Sequence, residues 1–123
     1  MLASCPVENR PDGAPRLYGK LKIRLVPGTL AARIYRQAEA AEDFTCNYEL
    51  NPAYRDIIEA SGLRVSGTTE EGGARIVELS DHRFFVATGF VPQLNSEESR
   101  PHPLIVAYLA AALGFKESQS NRE

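Results

Sequence analysis

The alternation of apolar and polar positions along the chain predicts a succession of short strands and helices. Leu21, Ile23 and Leu25 fall on one face of an extended segment and Lys20, Lys22 and Arg24 on the other, the period of two expected of a strand covered by a core on one side and by water on the other. Pro27-Gly28 ends it. Thr29 is placed to cap a helix from Leu30 to about Ala41, in which Leu30, Ile34 and Ala38 recur at helical spacing. Asp43 to Leu50 holds Phe44, Thr45, Cys46 and Tyr48, residues that favour extended backbone, and predicts a short strand. Asn51-Pro52 supplies the cap and first turn of a second helix. Its inward stripe is Tyr54, Ile57 and Ile58, and Gly62 closes it. Leu63 to Thr69 and Ala74 to Leu79 then form two strands of a hairpin around Glu70-Glu71-Gly72-Gly73.

The last third reads differently. Phe84 to Phe90 is apolar almost throughout instead of alternating, the signature of a central strand buried on both faces. After a polar loop, Pro101-His102-Pro103 opens a helix through about Leu113, whose apolar residues spread around most of its circumference and require cover on more than one side. Gly114 is its expected stop. Three segments follow: residues 1–16, rich in Pro and polar side chains, a flexible lead-in; residues 17–115, the folded part; and residues 116–123, a solvated, disordered tail.

Composition narrows the classes. At 123 residues and 43% hydrophobic content the chain supports one domain with one modest core. A formal net charge of -2 and a pI near 5.7 give no electrostatic basis for nucleic acid or anionic membrane as a partner. No apolar run approaches the roughly 18 residues that span a bilayer, and the N-terminus has neither the basic start nor the apolar centre of a secretory signal, so a cytoplasmic protein is expected. Cys5 and Cys46 match no metal-ligand spacing, and with only His82 and His102 beside them no zinc site follows. No cofactor is expected.

Several short stretches together resemble one family. Pro27-Gly28-Thr29 with Tyr35, Asn47-Tyr48-Glu49-Leu50-Asn51 with Tyr54-Arg55-Asp56, Gly62-Leu63-Arg64-Val65-Ser66-Gly67-Thr68, Asp81-His82 with Phe84-Phe85-Val86-Ala87-Thr88, and Arg100-Pro101-His102-Pro103-Leu104 are similar, in order, to segments of class I glutamine amidotransferases, most closely the C-terminal glutaminase domain of CTP synthase. The resemblance implies the C-terminal half of an α/β, Rossmann-like or flavodoxin-like three-layer fold with a β-hairpin. Cys-Asn-Tyr-x-Leu-Asn-Pro with Phe-Val-Pro-Gln resembles an offshoot, the CTP synthase C-terminal region-related (seleno)proteins, whose name implies a selenocysteine in some members.

What the resemblance implies about chemistry is a loss. Where the family carries the His and Glu of a Cys-His-Glu triad, this chain has Val91 and Gln93. Valine exchanges no proton, and glutamine has no charge to stabilise an imidazolium. Asn47 stands where the family has an arginine that helps hold glutamine; a neutral amide replaces a two-pronged cationic clamp. The Gly-x-Cys-x-Gly elbow of the family's nucleophile is absent, since neither Cys5 nor Cys46 has flanking glycines. Asn47 and Tyr48 mark the remnant of the glutamine pocket, and Cys46 and Cys5 are the candidate thiols, each read first as an inert side chain. His82 reads as structural, and His102 as satisfying backbone groups at a helix start.

The expected function is a glutaminase-like domain without glutamine hydrolysis, acting as a binding or interaction module for a partner or a glutamine-like metabolite. Two alternatives stand beside it: a glutaminase or CTP synthase-type enzyme fragment completed by a missing N-terminal half, and a thiol redox protein using Cys46 or Cys5. Because a central strand needs neighbours on both edges, the chain is expected to form a homodimer or to be completed by a partner chain. A truncated gene or a start codon placed too late would leave the same half-domain.

Overall fold

The computed structural model describes residues 2–4, 18–45 and 48–122. In chain order the elements are β1 (Leu2–Ser4), β2 (Tyr18–Leu25), α1 (Leu30–Tyr35), β3 (Glu39–Thr45), β4 (Tyr48–Leu50), α2 (Arg55–Ala60), β5 (Leu63–Thr68), β6 (Ala74–Leu79), β7 (Val86–Thr88) and α3 (Pro103–Ser120), with 3-10 turns at Pro52–Tyr54 and Pro92–Asn95. A five-stranded sheet runs in the order β3-β2-β5-β6-β7, and β1 pairs separately with β4. Every pairing is antiparallel. The strand within the segment expected to be a loop-like lead-in is β1.

The sheet curls so that its two ends come together. Beyond β7, the backbone N–H of Val91 donates to the Asp43 carbonyl of β3 at 2.8 Å, and Asn95 Nδ2 donates to Ala41 O at 3.2 Å. Inside the curl lie Ile23, Leu25, Ala31, Tyr35, Ile76, Phe90 and Leu104. Burying each large aliphatic among them contributes about 1.5–3 kcal/mol. The pattern of β2 is as the alternation predicts: Ile23 and Leu25 are buried, and Lys20, Lys22 and Arg24 are exposed.

The α/β class, the β5-β6 hairpin and most elements match the sequence reading, and several expectations need correction. The first helix stops at Tyr35, not Ala41, with Arg36 in the left-handed region at φ 56. Residues 39–41 are taken instead by β3, through the registers Arg24↔Glu39, Ile23↔Ala40 and Lys22↔Ala41. Long-range ladder bonds outweigh local helical periodicity there, and the buried face of α1 is Ala31 and Tyr35. In α2 only Ile58 is buried, while Ile57 is 63% exposed.

The third correction concerns Phe84 to Phe90. Of that run only Val86–Thr88 is strand, and it sits at the end of the sheet order, not its centre. Fourth, α3 passes through Gly114 to Ser120, so residues 116–120, expected as tail, are helical. A single glycine costs a helix about 1 kcal/mol, and Ala110, Ala111, Ala112, Lys116 and Glu117 around it are strong helix formers. Of α3 only Leu104 is buried; Tyr108, Leu109 and Leu113, expected to be covered, are 57%, 59% and 56% exposed.

Candidate functional site

The segment after β7 is pinned at successive residues. Gly89 N–H donates to Arg75 O at 2.7 Å, Val91 N–H to Asp43 O at 2.8 Å, and Leu94 N–H to Val91 O at 3.1 Å. These bonds hold Val91, half-buried, and Gln93, exposed, on the rim of a groove between one face of the β7 segment and the first turns of α3. Phe84, Val86 and Phe90 form its floor, and Leu104, Ile105 and Tyr108 its far wall. Of the ten lining residues none is a carboxylate, an imidazole or a thiol. Tyr108 carries the one titratable side chain among these ten.

One histidine–carboxylate pair exists among the described residues, and it lies elsewhere. His102 Nε2 is 2.6 Å from Glu42 Oε1, with both side chains 1% exposed. His102 is also the N-cap of α3, its Nδ1 accepting from Leu104 N–H at 3.1 Å. With Nδ1 an acceptor, the ring proton sits on Nε2 and is donated to Glu42. Tyr35 Oη donates to the same Glu42 oxygen at 2.7 Å. The Tyr35 phenol is held well above its ordinary range, first by burial, then by the hydrogen bond to Glu42 and its charge. Both ring nitrogens of His102 are hydrogen-bonded, so the trio ties α1, β3 and α3 together.

A second buried ion pair joins β4 and β6. Arg75 Nη2 is 3.0 Å from Glu49 Oε2, with side chains 5% and 14% exposed. It borders a hollow of about 270 Å³ lined also by Tyr48, Thr88 and Gly89. Tyr48, the described member of the expected glutamine pocket, is 61% exposed at its mouth. Asn47, Cys46 and Cys5 lie outside the described residues. His82 is exposed in the loop after β6, its ring centroid 6.3 Å from that of Phe85.

Sequence reasoning placed His102 at a helix start and gave it backbone groups to satisfy, which it does; it missed Glu42 and Tyr35 as partners. A signal for Glu42 existed. Ala40, Glu42 and Phe44 share the inward face of β3 at a period of two, so an acid in that series must either find a donor or stay out of the core.

No protein-family model matches the chain. Among curated proteins, it is 44% identical over 108 residues to CTP synthase of Pelotomaculum thermopropionicum, covering 87% of this chain and 20% of that one. It is 42% identical over 106 residues to CTP synthase of Rubrobacter xylanophilus, covering 85% and 19%. Among solved structures, the glutaminase domain of Trypanosoma brucei CTP synthase with bound acivicin superposes with a TM-score of 0.83 at 26% identity, covering 92% of this chain and 46% of that one. The chain thus spans about a fifth of the length of its curated relatives and about half of the solved domain.

Proposed function

Since this chain is related to the glutaminase domain of CTP synthase along most of its length, we propose that it is a glutaminase-like domain that does not hydrolyse glutamine and works as a binding or interaction module. Hydrolysis of a carboxamide requires a thiolate, a base to generate it and a charge to steady the base. At the positions that resemble the base and its carboxylate partner stand Val91 and Gln93. The observation that carries the reading is the lining of the groove they border, which among the described residues has no carboxylate, imidazole or thiol. The commitment of His102 to Glu42 and to Leu104 N–H supports it, because the remaining buried imidazole is not free to substitute.

The small hollow beside Tyr48 and the Arg75–Glu49 pair is the place for a glutamine-like metabolite, with Tyr48 as one of its contacts. The test is direct: purified protein is incubated with glutamine, and ammonia is followed by a coupled assay. No release above a heat-inactivated blank is expected. Sustained turnover would overturn the reading and favour the enzyme-fragment alternative.

A further inference from the structure

We infer that the buried Arg75–Glu49 pair reads a primary carboxamide: the hollow it borders takes up the uncharged amide of a small molecule and refuses the corresponding carboxylate. The inference rests on the reading above, which puts a glutamine-like metabolite in this hollow, and names the chemical group that the site recognises. Arg75 of β6 is anchored firmly on one side and loosely on the other. Its Nη2 donates to Glu49 Oε2 of β4 at 3.0 Å, its Nη1 to the Gly89 carbonyl at 3.5 Å. Gly89 also leaves the guanidinium room to turn, since a Cβ there would stand 3.4 Å from Arg75 Cδ and 3.7 Å from Nη1.

One donor of that guanidinium is unspent. The Arg75 side chain is 5% exposed, and its Nε is buried with no hydrogen-bond partner among the described residues. A buried N–H without an acceptor is costly, and in a native interior such a group calls for an explanation. Glu49 uses Oε2 on Arg75 and keeps Oε1 to accept a further bond. The unpaired donor and the spare acceptor thus belong to two bonded side chains that line the same hollow. Giving up the long bond to Gly89 lets the guanidinium turn about its bond to Glu49 and bring Nε–H to a ligand.

The rest of the lining decides which ligand fits. Leu50, Ala74, Val77 and Ala87 make most of the wall apolar, and the Thr88 hydroxyl is taken up by Phe90 O at 3.0 Å. Arg75 and Glu49 cancel each other's charge. A carboxylate entering here would lie beside Glu49 without a cation of its own, and like charges in an apolar enclosure repel. A primary carboxamide is uncharged and presents an acceptor oxygen and an N–H2 group side by side, the complement of a free N–H on Arg75 and a free oxygen on Glu49. The wrong ligand leaves those groups unpaired, which is how such sites discriminate. At about 270 Å³ the hollow falls below the roughly 300–1,000 Å³ of sites for drug-sized ligands, so the body attached to the amide is a short chain or a single ring.

The probes are benzamide and benzoate, which differ only in this group. Each is titrated at neutral pH into the full nitrogen-labelled chain while backbone amide shifts are followed by NMR. Benzamide should move the amides of Tyr48, Glu49 and Ala87 to Gly89 and bind at least about tenfold tighter than benzoate. Glu49→Gln removes the counter-charge of Arg75, so benzoate should become the tighter ligand. If that variant does not fold, the wild-type comparison decides alone. Equal affinity, preference for benzoate, no binding of either probe, or an unchanged preference in folded Glu49→Gln overturns the inference. Glutamine added to the benzamide complex tests the reading beneath it. Displacement supports both, whereas benzamide that is preferred and not displaced upholds the carboxamide site and rejects the glutamine-like metabolite.

Discussion

His102 and Glu42, 60 residues apart in sequence, meet at 2.6 Å in the interior, each with its side chain 1% exposed. The bond fastens the first turn of α3 to β3, and through β3 to the segment that carries Val91 and Gln93, because Val91 N–H donates to the Asp43 carbonyl next door. One imidazole thus acts at both ends: as the helix cap through Nδ1 and as the donor to a buried carboxyl through Nε2.

Removing that imidazole should be costly. His102→Ala deletes the donor to Glu42 and the cap on Leu104 N–H, for an expected loss of about 2–4 kcal/mol. His102→Asn keeps a capping acceptor and should recover about 1 kcal/mol of it. Urea unfolding midpoints measure both; equal values for the two variants would separate His102 from the cap.

Tyr35 should make alkaline stability steeper. The fold favours its neutral phenol, so the folded pKa is raised; above about pH 10 the unfolded chain loses this proton while the folded one keeps it. The unfolded state then binds fewer protons, and stability falls with rising pH, by up to about 1.4 kcal/mol per pH unit. Tyr35→Phe should lose that part of the slope while costing about 1–2 kcal/mol at neutral pH. Unfolding free energies of the two proteins across pH 8 to 11, in about half-unit steps set by that reference value, give the comparison. Parallel curves would contradict it.

Gly67 should resist enlargement. A Cβ there would lie 2.7 Å from Ile76 Cδ1 and Cγ1 and 3.0 Å from Ile23 Cγ2, at the irregular register between β5 and β6. Gly67→Ala is expected to cost about 1–3 kcal/mol by overpacking. Adding Ile76→Val removes the Cδ1 contact and should recover part of this, so the double variant is more stable than the sum of the single losses. Strict additivity by chemical denaturation would show that the site relaxes without Ile76.

Restoring the side chains after β7 should not create an enzyme. Val91→His with Gln93→Glu supplies a base and its carboxylate, yet the sequence has no Gly-x-Cys-x-Gly elbow to present a nucleophile. The coupled ammonia assay is expected to read at its blank. Turnover dependent on both substitutions would mean that a thiol of this chain reaches the groove.

Strand β2 was legible because burial on one face imposes a period of two that its residues state openly, and the hairpin because Glu70-Glu71-Gly72-Gly73 supplies its turn. The ends of α1 and α3 were not. Glu39, Ala40 and Ala41 suit a helix as well as a strand, and pairing with β2 decided between them. Gly114 resembles a stop signal but lies inside α3. The candidate site was half legible: the residues at Val91 and Gln93 could be named from the chain, while the lining around them and the Glu42–His102–Tyr35 trio required coordinates.

The order of residues alone settled the class of the fold, its hairpin and the cap at His102, since each follows from local backbone preference or side-chain chemistry. Tertiary structure alone decided the order of the strands in the sheet, which acid His102 finds and which apolar side chains of α3 are exposed. Those outcomes depend on register and on contacts between segments distant in sequence, and a linear pattern carries no measure of which of two equally apolar surfaces is buried.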